Sequence, residues 1–378
     1  MARRVFLHVG TPKSGTTFLQ SVWWANKVEL SRQGLLLPGR GVNHHYWASC
    51  VVRGGAHLQH LPKAGPRSWQ RLLKATGEHD GDVLISHELF SPAFAARADD
   101  ALRDLESVAG EVHVVLTARD LARQIPAEWQ QRTKHGRSQT FDDFIDTIRS
   151  DPEMAFWLAQ DVPAVLDRWS QGIPGERVHL VVLPPAGAPP TALWEQICDL
   201  TGVDGTGMDE KATRRNESLG LAEAEAMRRV SDELNRGGLA KSTERLLKSW
   251  FAENMLRSSL PEKIVLPASA YPWVVERAQA MVADLARCEY DVRGDLADLV
   301  PSPDPAPGRT FAEVTDDEVA AVTVRALARF VEHEESSRVR ARELAVERRR
   351  ALQAAAAPAP QPTPGLLHRL RARLGRRR

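Results

Sequence analysis

The sequence predicts an α/β fold in which a mostly parallel central sheet is covered by helices on both faces. Short apolar runs that are typical of buried strands occur at residues 4–9, 82–86, 112–117 and 178–183. Segments with apolar residues at helical spacing separate them, for example at 97–108, 119–134 and 160–170. Strands that alternate with helices in this way are typical of parallel sheets whose two faces are both buried.

The first strand is followed at once by a loop and a helix. Gly10 and Pro12 end the apolar run 4–9, and residues 16–26 then carry apolar side chains at helical spacing. Helical segments also separate the later strands. Pro126 and Pro163 are expected to kink two of these helices or to delay their start. The stretch from 216 to 300 is predicted to be helical.

Composition places the chain among ordinary globular proteins. It has 378 residues, of which 43% are hydrophobic and 26% charged, with a formal net charge of +1, so we expect no nucleic-acid partner. Cys50, Cys198 and Cys288 lie far apart, which predicts neither disulfides nor a metal site. We expect no export segment and no membrane span, and therefore a cytoplasmic location.

The chain is predicted to have one large domain followed by accessory segments. Residues 1–301 form the α/β domain, 302–309 a proline-rich linker, and 310–352 a charged helical extension that begins with the capping-box pattern at 315–318. Residues 353–378 form an Ala/Pro segment and a basic tail. Residues 366–378 are interpreted as a solvated basic end; contact with an anionic membrane surface or a partner, through leucines that share one helical face, is the alternative.

The loop at residues 10–17 is predicted to bind an anion. Backbone N–H groups at the start of a helix converge there, Lys13 adds a charge, and Thr16 and Thr17 add hydroxyl donors. The Walker pattern requires a lysine after its second glycine, but Thr16 follows Gly15 here, and this weakens the interpretation as an NTPase. A turn without a ligand is the other alternative.

The segment 8–19, with the core Pro12-Lys13-Ser14-Gly15-Thr16-Thr17, resembles the phosphosulfate-binding loop of the sulfotransferases that use PAPS, the adenosine phosphosulfate donor. The resemblance extends over residues 4–220, and more loosely to 301, and is to bacterial, in particular actinobacterial, members. It implies a P-loop-like three-layer fold for this part of the chain; the helical C-terminal extension after residue 301, which the resemblance does not cover, is predicted from the sequence pattern. The residues that it assigns to the donor in this loop are Thr11, Pro12, Lys13, Ser14, Gly15, Thr16 and Thr17.

The resemblance also implies a site for the 3′-phosphate of the donor. In the family a strand ends in an arginine and a serine follows eight residues later. Here the third strand runs into Arg119, but the residue eight further on is Ala127, so one hydroxyl contact is missing. Arg214 and Arg215 lie where family members close the nucleotide site with a basic loop; a solvated turn is the alternative.

The resemblance assigns the proton acceptor of the reaction to the loop after the strand 82–86. Glu88 corresponds to the base of one branch of the family, and His87 is the alternative because another branch uses a histidine. His44, His45 and Tyr46 form a polar and aromatic cluster that we expect near the acceptor.

The sequence therefore predicts a sulfotransferase in which Lys13 stabilises the leaving phosphate and Glu88 or His87 deprotonates the acceptor. PAPS is the expected co-substrate, PAP the product, and a glycan, glycolipid or small metabolite the acceptor. A kinase or NTPase with a degenerate loop, and a PAP-binding protein without turnover, are the alternatives.

Overall fold

The central sheet of this computed structural model has six strands in the described part of the chain, and all five pairings are parallel. The order is β2-β3-β1-β4-β5-β6. The strands are β1 (Ala2–His8), β2 (Leu35–Leu36), β3 (Asp82–Ser86), β4 (Ala109–Ala118), β5 (Val178–Val182) and β6 (Asp291–Arg293). The predicted α/β fold with a parallel sheet is confirmed. The structure describes residues 1–185, 187–189, 191–210, 219–238, 243, 246–257, 262–302 and 307–356, without the side chains of residues 56, 57, 248, 249 and 354–356.

Helices cover both faces of the sheet. Between β1 and β5 they are α1 (Thr16–Ala25), α2 (Lys27–Arg32), α3 (Val42–Arg53), α4 (Ser68–Gly77), α5 (Ala95–Glu106), α6 (Leu121–Lys134), α7 (Phe141–Ser150), α8 (Ala155–Gln160) and α9 (Val162–Trp169). After β5 they are α10 (Ala192–Thr201), α11 (Leu221–Arg236), a π-helical segment Leu247–Met255, α12 (Tyr271–Leu285) and α13 (Asp316–Ala356). None of the described helices is long and apolar enough to cross a membrane.

One face of the sheet packs against α1 and α10. Phe6 of β1 lies in a buried cluster with Trp23 of α1 and Trp194 of α10, and each of the three is at most 2% exposed. Because β1 is the strand that α1 follows, this packing fixes the angle at which the chain leaves the sheet. The loop between β1 and α1 is therefore held by a rigid strand and a rigid helix.

Two strands of the sheet lie outside the four that the apolar runs predict. β2 has two residues, and β6 has three, two of which are charged. The prediction that 216–300 is helical is wrong at β6, because Asp291–Arg293 pairs in parallel with β5. An edge strand this short carries no apolar alternation that could identify it. Pro126 lies inside α6, and Pro163 lies in the first turn of α9, where a proline is tolerated.

The chain divides into two units, Met1–Val322 and Thr323–Arg378. The first contains the sheet and the start of α13, where Thr315 and Glu318 form the predicted capping box: the Thr315 hydroxyl accepts from the Glu318 amide at 3.2 Å, and the Glu318 carboxylate accepts from the Thr315 amide at 2.8 Å. The second, as far as it is described, is the continuation of α13 to Ala356. The basic tail at 366–378 lies outside the described residues.

We predict that Asp82→Asn destabilises the fold in a pH-dependent way. Asp82 lies at the start of β3 and accepts hydrogen bonds from Arg3 and Arg4 of β1, each at 2.6 Å. Burial alone would raise the pKa of Asp82, but the two arginines outweigh it and lower the pKa to about 2. A depressed carboxyl pKa contributes stability above its unfolded value near 3.8, and this contribution is lost as the pH falls toward 2.

The substitution should lower the free energy of unfolding at pH 7 by ~1–3 kcal/mol, as for other buried hydrogen-bonded groups. Urea unfolding should show this difference narrowing between pH 7 and pH 3. Asp99→Asn, which removes an exposed ion pair with Arg103, serves as the control and should change little. A difference of the same size at every pH would show that the charge of Asp82 is not what stabilises the fold.

Candidate active site

The loop after β1 has the backbone of an anion-binding turn. Among the described residues Lys13 is the only non-glycine residue with a positive φ, at 67°, and Gly15 has a φ of 81° immediately before α1. These left-handed conformations fold the chain back so that it enters the helix at Thr16. The amide groups of the first helical turn thus lie at the carboxyl end of β1, where parallel sheets bind ligands.

Hydrogen bonds to Thr117, at the end of β4, fix the base of this loop. The amide and the hydroxyl of Thr11 both donate to the Thr117 carbonyl at 3.1 Å. Ser14 Oγ donates to the Thr11 carbonyl at 2.5 Å and lies 2.7 Å from Thr117 Oγ1. The hydroxyls of Thr11 and Ser14 are therefore engaged within the loop, and both residues are buried.

The other predicted residues of the loop line a cavity of about 1670 Å³ at this edge of the sheet. They are Pro12, Lys13, Gly15, Thr16 and Thr17. Lys13 Nζ donates to Gln131 Oε1 of α6 at 2.7 Å, and Thr16 Oγ1 is buried without a hydrogen-bond partner. A cavity of this volume exceeds the usual ~300–1,000 Å³ of a small-molecule site, so it has room for a nucleotide and a second ligand.

Arg119 directly follows the last residue of β4 and lines the same cavity as the loop. Its Nε donates to Gln124 Oε1 at 3.1 Å and its Nη2 donates to the Arg123 carbonyl at 3.0 Å. Burial, together with the charge of Arg123, lowers the pKa of Arg119 to about 10. The neighbouring carboxylate, Asp120, caps α6 through the Arg123 amide and pairs with the Arg123 side chain. Both partners of Arg119 are neutral oxygens, so an anion in the cavity would stabilise its charge.

One side chain connects Arg119 with the loop. While Gln124 Oε1 accepts from Arg119, Gln124 Nε2 donates to the Pro12 carbonyl, which also accepts from Gln160 Nε2 at 3.1 Å. Gln124 thus links Arg119 to the part of the loop that contains Lys13. Ala127, in the slot where the family has a serine, also lines the cavity.

Glu88 and His87 both line the cavity, and their surroundings differ. His87 Nδ1 accepts from the Leu89 amide at 3.1 Å, and burial lowers the pKa of His87, so the ring is neutral and this nitrogen is occupied. Glu88 Oε2 is buried, has no hydrogen-bond partner and lies 3.8 Å from His87 Nδ1. Of the two side chains that line the cavity, Glu88 is the one whose carboxylate is not held by a backbone hydrogen bond at Oε2.

The expectation for the cluster at 44–46 is only partly met. Tyr46 lines the cavity, with its ring centroid 5.4 Å from that of His87. His45 is buried, and both its nitrogens bond to backbone, since Nδ1 accepts from the Ser86 amide at 3.1 Å and Nε2 lies 2.8 Å from the Pro38 carbonyl. His44 and His45 are not among the cavity-lining residues, so of this cluster the cavity includes Tyr46 alone.

The sequence analysis does not identify Glu128 of α6, which also lines the cavity. Its Oε2 is buried without a hydrogen-bond partner, and burial raises the pKa of its carboxyl. The sequence spacing could have identified Glu128, because Gln124, Glu128 and Gln131 lie at i, i+4 and i+7 and therefore share one helical face. Arg214 and Arg215 lie outside the described residues, within which no cluster of metal ligands occurs.

Comparison with known proteins adds little to this geometry. No protein-family model matches the chain, and no curated protein matches it. A solved structure, described as a sulfotransferase from Alicyclobacillus acidocaldarius, is similar over 66% of this chain and 96% of its own, with 16% identity and a TM-score of 0.37. At that level the likeness carries no argument about the chemistry of this chain.

We predict that Gly10→Ala disrupts the loop. A Cβ at Gly10 would lie 2.8 Å from Thr16 Oγ1, 2.9 Å from His8 Nε2 and 3.0 Å from Thr117 Oγ1, all of which are buried groups. Overpacking of this kind costs ~1–3 kcal/mol, in addition to any backbone strain.

Gly172→Ala is the matched control, because Gly172 has a φ of 78° and no atom within 4 Å of its added Cβ. Thermal unfolding should therefore show a clearly lower midpoint for Gly10→Ala than for Gly172→Ala. Equal midpoints would mean that backbone conformation alone sets the cost at Gly10.

Proposed function

We propose that the chain is a sulfotransferase that moves the sulfuryl group of PAPS to a hydroxyl or amine of an acceptor. The observation that carries the proposal is the bridged pair of cationic sites, in which Gln124 joins Arg119 to the Lys13 loop. Two such sites suit a nucleotide with phosphate at both its 3′ and 5′ positions.

The residues present fit this donor. The partly buried Arg119 has a planar fork of donors but only neutral hydrogen-bond partners, which favours a 3′-phosphate beside it. Thr16 Oγ1 is unpartnered at the first turn of α1, where a 5′-phosphosulfate would accept from it. The residues that would hold the donor are those that the resemblance names between Thr11 and Thr17, with Arg119; Arg214 and Arg215 remain proposed members of this site.

PAPS supplies a sulfuryl group that is bound to phosphate through a mixed anhydride. In the proposed reaction Lys13 and the amides of the loop stabilise negative charge on the phosphate side. Glu88 accepts the proton of the acceptor through its unpartnered oxygen. His87, neutral and fixed by the Leu89 amide, holds the loop that carries Glu88.

We also propose a glycan, glycolipid or small metabolite as acceptor, since the cavity has room beyond a nucleotide. A cytoplasmic location is proposed with it and agrees with three cysteines that are all free.

The test of the function compares ligands on the parent protein. PAP should raise the midpoint of thermal unfolding, since a ligand at 100 times its dissociation constant adds ~2.7 kcal/mol of stability. Incubation with labelled PAPS and an extract of metabolites and glycans should give a labelled product. A shift with ATP and Mg²⁺ but none with PAP would favour a kinase or NTPase, and PAP binding without any product would favour a binding protein.

We predict that Arg119→Ala removes the preference for PAP over AMP. The two nucleotides differ in the 3′-phosphate, and a lost charged hydrogen bond costs ~1.5–3 kcal/mol, or about 10–100-fold in affinity. Calorimetric titration of both ligands measures the ratio. Arg32→Ala, an exposed arginine of α2 outside the cavity, is the control. If Arg119→Ala discriminates as well as the parent does, the 3′-phosphate binds elsewhere.

We predict that Glu88→Gln lowers the transfer rate by ~10²–10⁴-fold, the usual contribution of a general base, while PAP affinity stays near that of the parent. His87→Ala should be milder, because its Nδ1 is occupied by a backbone amide. Rates with labelled PAPS and the identified acceptor decide the order. An inactive His87→Ala beside an active Glu88→Gln would assign the base to histidine.

A further inference from the structure

Glu128 is a carboxylate at a place where the proposed function puts an anion. On α6 it lies between Gln124, which donates to the Pro12 carbonyl, and Gln131, which accepts from Lys13 Nζ at 2.7 Å. Since the three residues share one helical face, Glu128 is on the side of α6 that meets the loop, and the charge of Lys13 acts on it. It lines the same cavity as Gly15 and Thr16.

The Glu128 carboxyl lacks a hydrogen-bond donor at one of its two oxygens. Its Oε2 is buried without a hydrogen-bond partner, although most buried polar atoms have one. No described cation lies within ion-pair distance of it. A carboxylate with an unpartnered buried oxygen is stabilised either by a donor on a ligand or by becoming a neutral acid.

The charges around Glu128 act in opposite directions. Burial raises the pKa of Glu128, the charges of Lys13 and Arg132 lower it, and the charge of Glu88 raises it, with a net increase. Lys13 comes from the loop after β1, Glu88 from the turn after β3, and Arg132 from α6 itself. These are the charged groups of the described residues that act on it. An anion bound beside Lys13 would act in the same direction as Glu88.

We propose that Glu128 takes up one proton when the anionic donor binds and, as a neutral acid, donates a hydrogen bond to it. The inference rests on the proposed function, because it requires an anion at the Lys13 loop. The proton comes from the buffer and adds to one carboxylate oxygen, and no bond of the donor forms or breaks. Protonation removes the repulsion between two negative groups and satisfies the unpartnered oxygen.

The proposal gives donor binding a pH dependence of defined sign. Uptake of a proton on binding makes affinity fall as the pH rises, by at most tenfold per pH unit for one proton. The glutamine in Glu128→Gln has the size of protonated glutamic acid, is neutral at every pH and always has a hydrogen-bond donor. The affinity of Glu128→Gln for PAP should therefore lack the pH dependence that comes from proton uptake at Glu128. At pH 8.5 it should exceed the affinity of the parent.

Calorimetric titration of PAP into the full chain at pH 7, in two phosphate-free buffers that differ in ionisation enthalpy, measures the protons exchanged. The phosphates of PAP exchange protons equally with parent and variant, so the difference between the two proteins reports Glu128. We expect the parent to take up more protons than Glu128→Gln, by up to one per PAP. Glu88→Gln, which keeps the proton site at Glu128, should still take up protons with PAP, in an amount shifted by the loss of the Glu88 charge that acts on Glu128.

The outcomes separate this inference from the function on which it rests. If the folded parent does not bind PAP, the proposed function and this inference both fail. Should PAP bind with equal proton uptake in parent and Glu128→Gln, or should Glu88→Gln alone lose the uptake, only this inference is overturned. Thermal unfolding checks that Glu128→Gln is folded, and Glu128→Ala, which also lacks the proton site, repeats the comparison.

Discussion

The buried imidazole of His8 is the interaction on which the arrangement of the cavity depends. It lies at the end of β1, 2.8 Å from Ser86 Oγ at the end of β3 and 3.1 Å from Thr117 Oγ1 at the end of β4. Burial lowers the pKa of His8 to about 3, so the ring stays neutral and both hydrogen bonds persist at ordinary pH. Because Thr117 also holds Ser14 and Ser86 precedes His87, one neutral ring aligns the anion loop with the turn that carries Glu88.

The polar groups that support the loop from the sheet are hydrogen-bonded to one another, whereas two carboxylates that line the cavity each have an oxygen without a partner. On the sheet side of the loop, Ser86, His8, Thr117 and Ser14 form a continuous chain of hydrogen bonds. On the cavity side, Glu88 and Glu128 are lining residues. Each carries a carboxylate oxygen that is buried without a hydrogen-bond partner, and these are the two such oxygens in the described residues. Unpartnered buried groups cost stability, and a native fold retains them where they serve a site. The hydrogen-bonded groups at the strand ends therefore stabilise the loop, whereas the two unpartnered carboxylate oxygens indicate where a site would lie.

Apolar runs were sufficient to predict β1, β3, β4 and β5, because the middle of a strand buried on both faces is mostly apolar. They could not predict β6, whose stability comes from pairing with β5 and whose own residues are mostly charged. In the site, Lys13 and Arg119 follow strand ends and are therefore readable from sequence order, and the cavity includes both. Glu128 lies on a helix where polar residues ordinarily face solvent, so only the fold, which turns that face toward the loop, reveals it.

Helix α6 explains how the two cationic sites keep a fixed separation without a ligand. It starts at the Asp120 cap directly after Arg119, and its side chains at Gln124 and Gln131 then reach Pro12 and Lys13. A helix rises ~1.5 Å per residue, so these contacts are spaced along a rigid axis rather than along a loop. A ligand that spans both sites therefore meets charges that are already in place, and little of its binding free energy is lost to ordering the protein.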